Sequence, residues 1–151
     1  MEKKTIQWKS SSESIKGYTE SAIAKSEKND CVVRALASAS ELEYDKAHKF
    51  VKKEFGRKNR GGTFWFTSTM DSLQKANRKL NRKTIQKVPR EFLVGKNRMT
   101  VGKFIQNWDR GSYVLTVSGH ALAIKDGVVL TGIMDARKVK RPIESAWKIG
   151  K

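Results

Sequence analysis

The chain has 151 residues, enough for one domain with a packed core and too few for two independent ones. Its 32 Lys+Arg against 15 Asp+Glu give a formal charge of +17, a field that attracts polyanions and repels further copies of itself. No run reaches the roughly 20 apolar residues of a membrane span, and the single cysteine, Cys31, with only His48 and His120, makes neither an internal disulfide nor a zinc-binding pattern.

Residues 1–28 are polar and rich in Ser and Lys, with one short strand expected in 5-TIQWK-9. They read as a lead, either mobile or lying across the surface, ahead of a single domain at 29–151. The opening 1-MEKKTIQWKS-10 lacks the apolar stretch of a secretory signal, so a cytosol-like compartment is expected.

At Asp30 the composition changes. Asp30 is placed to cap a helix whose Val32, Val33, Ala35, Leu36 and Ala39 make it apolar on most of its circumference, as a central buried helix requires. In 43-EYDKAHKFVKKEFG-56 the stripe Tyr44, Ala47, His48, Val51 and Phe55 opposes exposed lysines, and Gly56 suits a left-handed cap.

A basic Gly-Gly loop and three aromatics follow in 57-RKNRGGTFWF-66, with Trp65 and Phe66 read as core aromatics or as a stacking surface for bases. The spacing then predicts a helix from about Ser68 to Leu80, with Met70, Leu73, Asn77 and Leu80 inward and Asp71 in its first turn.

The segment 84-TIQKVP-89 alternates like an edge strand that Pro89 ends, and 100-TVGKFIQNWDRG-111 is an amphipathic helix with a Thr cap. Beyond it the period becomes two: 112-SYVLTVS-118, 120-HALAIK-125, 128-VVLTGIM-134 and 145-SAWKI-149 read as strands, with Asp126-Gly127 a hairpin turn. Helices followed by an antiparallel meander define an α+β domain.

Cys31 begins the central helix, where a thiol gains from the helix N-terminus and, with a neighbouring imidazole, becomes a thiolate nucleophile. From pattern alone, however, a single cysteine in an apolar helix reads first as a small packed hydrophobe. His120 opens a strand, and Asp135, past the Asp126-Gly127 turn, is placed to return beside it and orient its ring. His48 reads as a hydrogen-bonded core histidine, and Arg34, one turn after Cys31, as an ion-pair partner.

Taken together, NDCVVRAL, EFGRKNRGGT, TVGKFIQNW and GSYVLTVSGHALAIKDGVV resemble the small papain-like, C39-like cysteine-peptidase-fold proteins of phage and bacteria, over about Asn29 to Trp147. That resemblance implies a papain-like fold, its Cys-bearing helix packed on the C-terminal sheet, with Cys31 as nucleophile, His120 as general base and Asp135 as orienting acid. It also implies a cysteine-dependent hydrolase of the peptidase or isopeptidase class acting on a polypeptide or host protein, without a cofactor. The compartment would be the cytoplasm of an infected bacterium if the chain is phage-encoded, or a virion. The usual upstream Gln is missing from 24-AKSEKND-30, which leaves Asn29 or the Cys31 backbone N–H as oxyanion donor.

A second reading comes from charge. Arg57, Lys58 and Arg60 in the glycine loop, and Lys75, Arg78, Lys79, Arg82 and Lys83 on the third helix and beyond it, form basic clusters with no acid between Lys75 and Arg90. Such a face suits phosphates, so the alternative is a catalytically weak fold that binds nucleic acid, a ribosome or a polymerase.

Overall fold

The computed structural model describes residues 7–58, 60–63, 65–93, 99–117, 120–130 and 142–150. Within them the chain is α+β. A five-stranded, wholly antiparallel sheet has the order β1-β5-β2-β3-β4, built from β1 (Ile85–Lys87), β2 (Ser112–Val117), β3 (His120–Lys125), β4 (Val128–Val129) and β5 (Ser145–Ile149). The strands expected at 84–89, 112–118, 120–125 and 145–149 are present, with β1 at the edge. The meander holds only for β2, β3 and β4, because β5 returns to lie between β1 and β2.

Each face of the sheet carries its own core. On one lie α3 (Cys31–Ser40), α4 (Tyr44–Phe55) and α5 (Phe66–Lys75), whose Leu36, Val51 and Met70 pack with Ala121, Ala123 and Trp147. On the other lies α6 (Val101–Asn107), whose Val101 and Phe104 pack with Leu115, Leu122 and Ile124. The alternation of strand residues between two buried faces follows from the pleat.

The apolar circumference of α3 is the reason it lies innermost: Val33, Ala35, Leu36 and Ala39 are fully buried. Gly56 closes α4 with φ 68, and Asp126 and Gly127, at φ 48 and 79, make the two-residue turn between β3 and β4. Asp126 also accepts the Gly111 N–H at 2.8 Å, so its carboxylate serves the turn.

Two expectations change. The lead does not hang free from residue 7 onward: Lys9 and Gln7 exchange backbone hydrogen bonds with Val129, and Ile15 and Ala24 enter the core beside α1 (Ser11–Ser14) and α2 (Ala22–Ser26). It thereby covers the outer edge of β4, where unpaired backbone groups would otherwise face solvent.

The third helix starts two residues before Ser68 and stops at Lys75, five short of Leu80. Asn77 takes φ 54, and Leu80 pairs with Lys83 across Asn81 and Arg82, at φ 50 and 64. Asn tolerates the left-handed region, and burial of Leu80 draws the chain into a tight turn in place of the five further helical residues expected.

Because Leu36 is fully buried between α4 and the sheet, Leu36→Ala is expected to cost about 3 kcal/mol of unfolding free energy, measured by urea denaturation.

Candidate active site

Cys31 is the first residue of α3 and is half-buried. Its thiol shares the cleft with the imidazole of His120, the first residue of β3, and with Ala121; that ring and the Ala121 backbone N–H favour the thiolate by hydrogen bonding. The sequence-predicted pair is therefore brought together. Burial opposes ionisation of the thiol, yet those two hydrogen bonds, with the charges of His120 and Arg34, outweigh it and hold Cys31 below the ordinary thiol range.

The approach of His120 is not what strand alternation alone would give. Ala121 and Ala123 face α3, whereas Leu122 and Ile124 face the α6 side, which assigns His120 to the far face. As the first residue of the strand it is not enclosed by that core, and its ring meets the thiol at the end of the sheet.

Asp30 does not cap α3 with its side chain. Its carboxylate instead accepts the Tyr44 hydroxyl at 2.7 Å and pairs with Arg34 at 3.2 Å. Burial and the neighbouring Asp30 push Tyr44 well above the usual phenol range, so it donates as a neutral hydroxyl. Arg34 thus has the ion-pair role expected of it, and it also borders the cleft beside Cys31.

Glu27 anchors the segment leading to Cys31. It sits between His48 Nε2 and Arg57 Nη1, each at 2.5 Å, and accepts the Arg60 backbone N–H at 2.6 Å. Burial raises its pKa, but the bonds from Arg57, His48 and Arg60 prevail and bring it down to about 2. His48 is accordingly a hydrogen-bonded core histidine. Asn29, at φ 54, extends this tie by donating its amide to the Arg60 carbonyl at 3.3 Å.

The cleft over Cys31 has a volume of ≈ 940 Å³. It is lined by Cys31, His120 and Asn29, by Gly62, Thr63 and Trp65 from the loop before α5, and by Thr116 and Glu144 from the sheet side. Glu144 enters β5 with its N–H bonded to the Thr116 carbonyl at 2.8 Å. Asn29 lines the cleft with Cys31, and its amide nitrogen donates to the Arg60 carbonyl, which commits one of its two amide protons.

Sequence reading missed Asp71, Thr116 and Glu144 as cleft residues. The β5-β2-β3 order that gathers Ser145, Thr116 and Ala121 into one row is a tertiary fact. Asp135 lies outside the described residues. Among the described residues, no cluster of His, Cys, Asp and Glu is arranged to hold a metal.

The basic clusters are dispersed. Arg57 is a correction: it is 4% exposed and bound to Glu27 and to the Lys28 carbonyl, so it presents nothing to a phosphate. Arg78 pairs with Glu54 at 2.7 Å, and Lys83 lies 3.8 Å from Glu41. Lys58, Arg60, Lys75, Lys79 and Arg82 are exposed, but the last two ride on the turn after α5, which removes the helical stripe. Of the aromatics, Phe66 is buried and stacks on Phe55, whereas Trp65 is 82% exposed, contrary to a core role.

Compared with protein-family models, with curated proteins and with solved structures, the chain has no match. No helix among the described residues is long and apolar enough to cross a membrane.

The depressed Glu27 pKa sets a sign for acid stability: its contribution is complete above the ordinary carboxylate value of 4.5 and is lost as pH falls towards 2. The full difference is worth about 3 kcal/mol. Glu27→Gln is expected to lower stability at pH 7 by about that amount and to flatten the decline between pH 5 and 2, read from urea unfolding at several pH values.

Proposed function

We propose that the chain is a papain-like thiol hydrolase of the peptidase or isopeptidase class. The observation that carries this reading is that Cys31 and His120 line one open cleft together, with the imidazole acting on the thiol so as to hold it below its ordinary range. A packed structural cysteine would be neither paired with an imidazole nor open to a groove.

In this mechanism the Cys31 thiolate attacks the substrate carbonyl, and the oxyanion is met by N–H donors at the start of α3 and by Asn29. Protonated His120 gives its proton to the departing amine, leaving a thioester on Cys31. Neutral His120 then takes a proton from water, whose oxygen attacks the thioester and releases the acid, and the thiolate and imidazolium are restored. Asp135 is the proposed orienting acid for the ring.

A second reading is favoured by the charge of +17 and the exposed Lys58, Arg60, Lys75, Lys79 and Arg82: a basic surface that docks on nucleic acid or a nucleoprotein such as a ribosome or polymerase. Docking and hydrolysis use different surfaces, so one chain can carry both.

Two experiments test these readings. p-Nitrophenyl acetate should give a burst of about one equivalent of p-nitrophenolate followed by turnover, absent in Cys31→Ala and slowed about 100-fold or more in His120→Ala. Equal rates in all three proteins would sink the hydrolase. Iodoacetamide should alkylate Cys31 at pH values below those at which a free thiol reacts, with the profile moving up in His120→Ala. For docking, affinity for duplex DNA or RNA should fall steeply with salt, and a flat response removes the phosphate contact.

A further inference from the structure

The cleft carries a chemical signature that the proposed hydrolase does not explain by itself. Trp65 stands at its lip, 82% exposed, with its backbone in the left-handed region at φ 60 and ψ 32. A bulky side chain is disfavoured there, and leaving an indole in water forgoes its burial. The helix it precedes takes no side-chain cap from it, and the neighbouring Phe66 supplies the buried ring. Strain and exposure together at a cleft edge mark a residue kept for a ligand.

The charges around the ring identify that ligand. Besides His120, the charged side chains lining the cleft among the described residues are Arg34, Asp71 and Glu144. Arg34 is matched by Asp30 at 3.2 Å. Asp71 is half-buried, with a long contact to Lys87 at 3.5 Å, and Glu144 is exposed. Thus a protein of charge +17 presents two carboxylates and an open indole at this place. Carboxylates repel phosphates, while an aromatic face and carboxylates together attract an ammonium or guanidinium group. Thr63, which also lines the cleft, has a buried hydroxyl oxygen with no hydrogen-bond partner among the described residues.

We propose that the cleft accepts a polypeptide segment with a lysine or arginine side chain beside the carbonyl presented to Cys31, its cation held by the Trp65 ring and the carboxylates of Asp71 and Glu144. This substrate class rests on the hydrolase reading for its chemistry, but the binding it describes does not. Trp65, Asp71 and Glu144 are specificity residues, set apart from the Cys31–His120 pair.

The test uses full-length Cys31→Ala protein, which performs no acyl transfer, and calorimetric titration at about 0.15 M salt, where distant surface charge is largely screened. The probes are an acetylated, amidated Ala-Ala-Lys-Ala-Ala peptide, its counterpart with Glu for Lys, and a short oligo-dT. The Lys peptide should bind at least about tenfold more tightly than the Glu peptide. That affinity should drop about fivefold on adding Trp65→Ala and about tenfold on adding Asp71→Asn with Glu144→Gln. Trp65 and Glu144 are exposed and Asp71 makes only its long contact with Lys87, so unfolding midpoints should move little, and measuring them verifies that each variant is folded.

A Lys peptide indifferent to both sets of substitutions overturns the inference. So does a Glu peptide or oligo-dT whose binding is the one lost with Trp65. Loss of p-nitrophenyl acetate turnover with Lys selectivity intact overturns only the hydrolase; intact turnover without selectivity overturns only the assignment of substrate.

Discussion

The close packing of α3 on β3 is the constraint on which the rest of the molecule depends. Both surfaces carry small residues, with Ala35 and Ala39, one turn apart on the helix, and Ala121 and Ala123 on the strand, all nearly or fully buried. Small side chains let the two backbones approach, and an interior at crystal-like density then leaves little freedom for the helix to shift. The first residue of each element consequently meets the other at one end of the sheet, which is where Cys31 and His120 line the cleft together.

A strongly basic chain has few acids to spend, and two of them are turned inward around this point. Asp30 serves Tyr44 and Arg34 immediately before the cysteine, and Glu27 gathers His48, Arg57 and the Arg60 backbone three residues earlier. A buried carboxylate is tolerated only when its lone pairs are matched, and here the matching groups belong to α4 and to the loop before α5 that lines the cleft. Electrostatics therefore tie the approach to Cys31 and that loop into one frame, which also makes that frame sensitive to acid.

The same cleft separates the roles of the exposed charges. Lysines and arginines dominate the outer surface, whereas Asp71 and Glu144 line the groove. Attraction of a polyanion would act over the whole surface and be screened by salt, while the proposed selection in the groove would act at short range through shape, the Trp65 face and carboxylates. A polyanionic assembly held outside and a cationic segment held inside are physically compatible.

Residues and their periods alone determined the α+β class, the innermost place of α3, the Gly56 cap, the Asp126-Gly127 turn and the extents of β2, β3 and β5. Each follows from local rules of period, burial and backbone freedom that act over a few residues. The candidate pair was legible because Cys31 and His120 open their elements, although strand alternation points His120 to the other face. The tertiary structure decided what no local rule reaches: β5 inserting beside β2, Arg57 drawn inside by Glu27, α5 ended so that Leu80 could be buried, and Trp65 left exposed. All four are settled by partners distant in the chain, whose packing and charge outweigh the preferences of neighbouring residues.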